Sequence, residues 1–289
     1  MIIQLLNGLQ LAMLLFLLSV GLSVVFGLMR FVNLAHGTLF MLGAFVGLST
    51  AEATGSFWWA LAAGTVASAV VGGLLYLGLL RRLQPEGPLK QVLVTFGLVF
   101  IGLEVARIVW GDYAERLPGP AVFAGSTELF GVVYPTYRLF VIALGLTVAA
   151  LLHFGLERTR LGAVIRAGVD DRTMTAALGI DIDRVFFGVF VVGCALAGLA
   201  GVVAGPVLSV YAGMDMGVLI LALVVVVIGG PGSLKGAFAG ALLVGMAETF
   251  GQVWLPEVAG MLLYGLMAAV LVLRPQGLLP AGPSQPAGR

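Results

Sequence analysis

Side chains able to do chemistry are scarce in this sequence. The two histidines, His36 and His153, lie on different segments with no second ligand nearby, and Cys194 is the only cysteine. A zinc or iron site needs several such ligands close together, so we expect neither a metal site nor an internal disulfide. A GxSxG nucleophile elbow is also missing, and we assign no catalytic residue and no cofactor to this chain.

The run GGPGSLKG at residues 229–236 is the nearest approach to a phosphate-binding loop. It lacks the adjacent Gly-Lys-Ser/Thr and follows an apolar segment instead of a soluble strand. Because a phosphate cradle needs that lysine beside a helix N-terminus, we do not expect this chain to hydrolyse ATP alone.

Three charged residues lie within apolar segments. Glu104 and Arg107 are three residues apart, so they can pair on one helix face. Glu248 stands about 18 Å into its segment at about 1.5 Å per residue. Ionisable groups are costly in hydrocarbon, which makes each a functional candidate. A structural pair is the favoured interpretation for Glu104 and Arg107, and for Glu248 both roles stay open.

The elements that must position these residues are membrane helices. Of the 289 residues, 60% are hydrophobic and 10% are charged, against roughly 25% charged in a soluble domain. The net charge of +1 provides no basic field for nucleic acid. The composition therefore indicates an integral membrane protein.

Apolar runs predict an all-α, polytopic helical bundle with about nine spanning segments, and eight to ten remain open because three of the runs are short. The segments are 5–28, 35–51, 57–80, 91–110, 138–156, 185–211, 217–229, 237–253 and 258–273. The first run has no basic residue before it, so we interpret it as a retained helix instead of a signal peptide.

The distribution of Lys and Arg predicts the orientation. With the N-terminus outside and nine crossings, 12 of the 15 basic residues are cytoplasmic, as is the C-terminus. These are Arg30, Arg81, Arg82, Lys90, Arg158, Arg160, Arg166, Arg172, Arg184, Lys235, Arg274 and Arg289. We take residues 1–280 as one transmembrane domain. The Pro- and Gly-rich tail after Arg274 is expected to be disordered, with 281–289 outside the domain.

Two polar segments are long. The outside loop 111–137 is net acidic and is expected to be irregular, either a docking face or a connector. In the inside segment 157–184, Thr159 can cap a short helix that ends at Gly168. Asp170 or Asp171 can cap a second one.

This second short helix is predicted to reach Leu178, with Gly179 as its left-handed C′ residue. Apolar residues on both helices favour docking of a partner, although an ordinary basic inside loop stays possible. They are Val164, Ile165, Met174 and Leu178.

Two glycine-rich turns lead into small-residue helices, at 30–47 and 227–245. Small residues allow close approach of helix backbones in lipid. Asn33 and His36 can satisfy backbone groups that are freed where Gly229, Gly230 and Pro231 break the helix. A structural turn is the favoured role and substrate contact the alternative. The residues in question are Asn33, His36, Gly37, Gly229, Gly230, Gly232 and Ser233.

Several motifs together resemble a known family. Asn-Leu-Ala-His-Gly at 33–37, the segment 159–167, Ala-Leu-Gly-Ile at 177–180, the run 195–201 and Arg-Pro-Gln-Gly-Leu at 274–278 follow one another in the family's order. In these motifs the chain resembles branched-chain amino-acid ABC transporter permeases, and its length is closest to the LivH type.

The resemblance implies the remaining parts of the system. Such permeases work with a second homologous permease, two ATPase subunits that bind ATP, and an extracytoplasmic binding protein, in the bacterial cytoplasmic membrane. It also implies that the inside segment transmits the ATPase motion, with Asp171 and Gly179 central. The coupling residues expected on this basis are Arg160, Arg166, Asp170, Asp171, Ala177 and Gly179.

The implied substrates are leucine, isoleucine and valine. One alternative is an ABC permease for urea or short amides. A second is a transporter or channel that needs no ATPase, against which the capped inside helices and the lack of a charge relay argue.

Overall fold

The computed structural model describes residues 1–29, 33–83, 86–129 and 131–279. Its helices are α1 (Ile2–Met29), α2 (Ala35–Thr54), α3 (Phe57–Leu75), α4 (Arg81–Leu83), α5 (Pro88–Trp110), α6 (Thr136–Arg158), α7 (Arg160–Asp170), α8 (Arg172–Ala177), α9 (Ile182–Leu208), α10 (Met214–Gly229), α11 (Leu234–Trp254) and α12 (Ala259–Leu273). A π-helical turn, Tyr76–Leu80, joins α3 to α4. The predicted tail 281–289 and Arg30 lie outside the described residues.

The predicted all-helical membrane architecture is confirmed. Each of the nine predicted segments falls on a helix, and six described helices are long and apolar enough to cross a membrane. The segments 35–51, 217–229 and 237–253 are not among those six. The number of crossings and their orientation therefore stay predictions.

The centre of the bundle is formed by α1, α2, α3 and α9, whose backbones approach closely at glycines. A Cβ on Gly43 would lie 2.5 Å from the Cα of Gly198, and one on Gly47 would lie 2.9 Å from Val202. In both pairs the α9 residue follows its α2 partner by the same number of positions in the sequence, so α2 and α9 run parallel. In contrast, α5, α6 and α12 bury few of their side chains within the chain.

The outside loop 111–137 is not irregular throughout, as the sequence had suggested. Ser126–Leu129 (β1) and Val132–Pro135 (β2) form an antiparallel hairpin, whose turn contains Gly131 at φ 75°. The Tyr134 hydroxyl donates to Asn7 Oδ1 at 3.0 Å, which fixes the hairpin to the start of α1. The run Val132-Val133-Tyr134 directly after Gly131 carried this signal.

The end of α9 also differs from the prediction. The helix stops at Leu208 instead of residue 211, because Ser209 adopts a positive φ of 63°. Val210 then pairs with Glu115 of the outside loop through two backbone hydrogen bonds of 2.9 and 2.6 Å.

Residues 275–279 are ordered, which corrects the expectation of disorder immediately after Arg274. The N–H groups of Leu278 and Leu279 donate to the carbonyls of Ile228 and Gly229 at 2.8 and 3.1 Å. These carbonyls belong to the last turn of α10, where a helix leaves acceptors unpaired. The segment 275–279, termed here the C-terminal strap, therefore caps α10.

We expect Gly277→Ala to loosen this strap. Gly277 has a φ of 86°, and a Cβ would lie 2.4 Å from the Cα of Gly230. Strain of this kind costs about 1–3 kcal/mol of stability, measurable as a lower melting temperature of the purified chain in detergent. Gly260→Ala in α12 is the matched control, because a Cβ there meets open space. Equal melting temperatures for both variants would contradict the capping role.

Candidate functional site

The inside segment forms the two predicted capped helices. The Thr159 hydroxyl accepts from the N–H of Gly162 at 3.2 Å, and Asp171 Oδ1 accepts from the N–H of Met174 at 2.9 Å. Gly179 has a φ of 81°, as predicted for the C′ residue of α8. The N-cap of α8 is therefore Asp171, one of the two alternatives that the sequence left open.

The first short helix is longer than predicted, because α7 continues past Gly168 to Asp170. Gly168 serves packing instead: a Cβ there would lie 3.0 Å from Ile182 and 3.3 Å from Phe186. Ile165 is buried in the same cluster, which also includes Val24 of α1. One face of α7 is thus fixed to the start of α9 and to α1.

Three other apolar side chains of the segment are exposed. The exposed fractions are 62% for Leu161, 63% for Met174 and 75% for Leu178. Because Ile165 already anchors α7 to the bundle, these exposed side chains are available to a partner. We term Leu161, Met174 and Leu178 the exposed apolar face of α7 and α8.

Most predicted coupling residues surround this face. Ala177 and Gly179 are exposed beside Leu178, and Arg160 is exposed at the start of α7. The Arg166 guanidinium donates to the carbonyl of Leu156 and so ties α7 to the end of α6. The side chain of Asp170 lies outside the described part of the chain. No finding tests these residues in coupling.

An ion pair links the start of the inside segment to the second glycine turn. Lys235 Nζ, at the start of α11, lies 2.8 Å from Glu157 Oε1 at the end of α6. His153 Nδ1 lies 3.4 Å from the same carboxylate oxygen. The ion pair therefore joins the helix before α7 to the turn between α10 and α11.

The second glycine turn has a structural explanation. Gly229 and Gly236 pack backbone on backbone, and Ser233 caps α11 by accepting from the N–H of Gly236 at 2.9 Å. Gly230 and Gly232 have φ values of 102° and 80°. The run that resembled a phosphate-binding loop is thus a turn between two apolar helices.

The groups that satisfy this turn are not those predicted. The N–H of Gly232 donates to the carbonyl of Ser23 at 3.1 Å and to its hydroxyl at 3.2 Å. Asn33 and His36 lie at the start of α2, where His36 Nε2 donates to the carbonyl of Leu18 in α1 at 3.2 Å. The expectation that they satisfy the turn is therefore wrong, because Ser23 already does so.

The first glycine motif marks the start of α2 inside the bundle. Asn33 and His36 are buried, and Asn33 Oδ1 and His36 Nδ1 have no hydrogen-bond partner among the described residues. Gly37 lies against Leu219 and the carbonyl of Asp215 in α10. The first glycine motif thus contacts α1 at Leu18, and the second glycine turn contacts it at Ser23.

The charged residues of the apolar segments lie at the surface of the chain. Glu104 and Arg107 pair at 2.9 Å, as predicted, and Arg107 also reaches Asp112 at 3.4 Å. Glu248 accepts from the side-chain amide of Gln252 one turn later, at 2.6 Å. The structural pair favoured for Glu104 and Arg107 is thus present, and for Glu248 both roles stay open.

Sequence reasoning missed the buried carboxylate of Asp215. It lies in the first turn of α10, which begins at Met214 and not at the predicted 217. The available signal was simple: Asp215 is the only charged residue between Arg184 and Lys235. Within the described residues, no group of three or more His, Cys, Asp or Glu side chains could hold a metal ion.

Comparisons with known proteins identify the family of this chain. The family described as "Branched-chain amino acid transport system / permease component" matches residues 4–271. The high-affinity branched-chain amino acid permease protein BraD of Pseudomonas aeruginosa is 31% identical over 96% of this chain and 94% of its own length.

The corresponding LivH protein of Escherichia coli K12 is 29% identical over 96% of this chain and 94% of its own length. LivM of Salmonella typhimurium is 28% identical over 91% of this chain and 67% of its own length. No solved structure matches. Because the family match covers nearly the whole chain, this protein belongs to the permease components of branched-chain amino acid transport systems.

Proposed function

We propose that this chain is one of two permease subunits of an ATP-driven importer of branched-chain amino acids in a bacterial cytoplasmic membrane. A second, homologous permease completes the pathway. Two ATPase subunits bind ATP, and an extracytoplasmic protein delivers the substrate. In this proposal the chain crosses the membrane nine times, with its N-terminus outside and its C-terminus in the cytoplasm.

The exposed apolar face of α7 and α8 is the observation that supports the proposal most directly. Leu161, Met174 and Leu178 are exposed on a segment whose five arginines favour the cytoplasmic side. An ATPase that docks there would push on a segment already fixed to α1 and α9 through Ile165. The similarity to BraD, LivH and LivM supports the amino-acid substrate and the second permease.

Co-purification tests the ATP-driven mechanism. We expect the tagged chain, expressed with its neighbouring genes, to bring down an ATPase subunit in mild detergent. In this proposal the ATPase docks on the exposed apolar face of α7 and α8. Leu178→Glu should reduce recovery of the ATPase. A matched control is Val122→Glu, similarly exposed but in the outside loop 111–137. Recovery of the chain without any ATPase would contradict the proposal and favour an ATPase-independent transporter.

Uptake tests the substrate. In a strain that lacks this permease, we expect expression of the chain to restore uptake of labelled leucine and not of labelled urea. Restored uptake of urea alone would assign the chain to amide transport instead.

A further inference from the structure

Asp215 is a buried carboxylate with one unpartnered oxygen. The residue is 1% exposed, and the Thr38 hydroxyl donates to its Oδ2 at 3.4 Å. Oδ1 is buried without a hydrogen-bond partner, and no salt bridge reaches Asp215 among the described residues. No cationic side chain in the described part of the chain therefore compensates this carboxylate.

The carboxylate lies deep in the bundle. Since α2 and α9 run parallel, with Gly43 beside Gly198, Thr38 lies level with the middle of α9. Asp215 contacts Thr38 because α10 begins here, in the interior, and not at a membrane face. Two helices thus begin within the bundle, close to each other, and membrane transporters point such N-termini at the anionic groups of their substrates.

A purely structural role does not account for this group. An aspartate in the first turn gains energy from the dipole of its helix, but that gain is smaller than the cost of an unpaired charge at this depth. A buried carboxylate is normally either protonated or compensated by a cation that donates hydrogen bonds. Asp215 Oδ1 is therefore poised for a small cationic ligand.

The outer side of Asp215 is closed by the short connection Ser209–Gly213. Val210 in this connection is fully buried and pairs with Glu115 of the outside loop. The connection carries positive φ values at Ser209 and Gly213. Rearrangement of the outside loop would move this connection and so expose Asp215 to the outer side.

We infer that Asp215, positioned by Thr38, binds the α-ammonium group of the transported amino acid. This inference rests on the proposed function, which supplies a ligand with that group. A monovalent metal cation has the same charge and is the alternative source that the experiment separates.

Uptake of labelled L-leucine in cells is the first measurement. Asp215→Asn keeps the shape of the side chain and removes the charge, and should lower uptake at least about tenfold, with unchanged amounts in the membrane and a melting temperature no lower than that of the wild type. Thr38→Val should lower uptake less, and Thr38→Ser should restore it. Glu52→Gln is the matched control, because Glu52 is exposed and lies on α2, the helix of Thr38.

Retention of labelled L-leucine by the purified complex of both permeases and the ATPases identifies the ligand group. We expect 3-methylbutylamine, which keeps the ammonium group, to displace leucine at least about tenfold better than 4-methylpentanoate, which lacks it. The Asp215→Asn complex should retain no leucine. Replacing Na⁺ with K⁺ should change nothing.

The outcomes separate the two proposals. If the wild-type chain fails to restore leucine uptake, the proposed function fails. If it restores uptake and Asp215→Asn transports as well as wild type, only the inference on Asp215 is overturned. Failure of the wild-type complex to retain leucine, equal displacement by 4-methylpentanoate, or a requirement for Na⁺ that Asp215→Asn abolishes would each overturn the ammonium assignment.

Discussion

Replacing Asp171 with arginine is expected to reduce amino-acid uptake at least about tenfold while leaving the protein in the membrane. Loss of an N-cap costs about 0.5–2 kcal/mol, and a positive charge at a helix N-terminus is unfavourable. Asp171 makes the capping bond of α8 through Oδ1 to the N–H of Met174. Its removal should therefore unfold α8 and disperse Met174 and Leu178, on which ATPase docking depends.

Two companion variants separate the cap from the charge. Asp171→Asn keeps a good N-cap and should retain most of the uptake. Gly179→Val should resemble the arginine variant, since a β-branched residue resists a φ of 81°. A Cβ at Gly179 meets nothing within 4 Å, so a steric clash cannot be the cause. Normal uptake by Asp171→Arg, with the ATPase still bound, would refute the coupling role of this segment.

Features that depend on neighbouring residues in the sequence could be predicted. The caps by Thr159 and Asp171 and the left-handed Gly179 involve hydrogen bonds or backbone conformations within a few residues. The same holds for the pair of Glu104 and Arg107 on one helix face. Apolar runs likewise predicted each long helix, because length and hydropathy are properties of the segment itself.

Features that depend on contacts between distant segments could not be predicted. The C-terminal strap is ordered because its N–H groups find carbonyls of α10, about fifty residues earlier in the chain. Ser23, and not Asn33, satisfies the N–H of Gly232 for the same reason. Asp215 is buried because α10 begins against Thr38 inside the bundle, and hydropathy alone does not reveal that depth.

Replacing Gly201 with valine is expected to prevent assembly of the bundle. A Cβ at Gly201 would lie 2.0 Å from the carbonyl oxygen of Phe40 and 3.0 Å from the N of Ala44, both backbone atoms of α2. Backbone cannot yield as a flexible side chain does, so α2 and α9 would have to separate. Loss of this contact should cost more than about 3 kcal/mol, and the variant should accumulate in the membrane at well under a tenth of the wild-type amount.

Gly188→Val is the matched control for this prediction, because it makes the same substitution in the same helix. A Cβ at Gly188 meets nothing within 4 Å, so that variant should accumulate and melt like the wild type. Normal accumulation and melting of Gly201→Val would show that α2 and α9 do not pack at this point. If both variants fail to accumulate, valine itself would be poorly tolerated in α9, and close packing at Gly201 would lose its support. Only failure of Gly201→Val with survival of Gly188→Val assigns the effect to the contact between the two backbones.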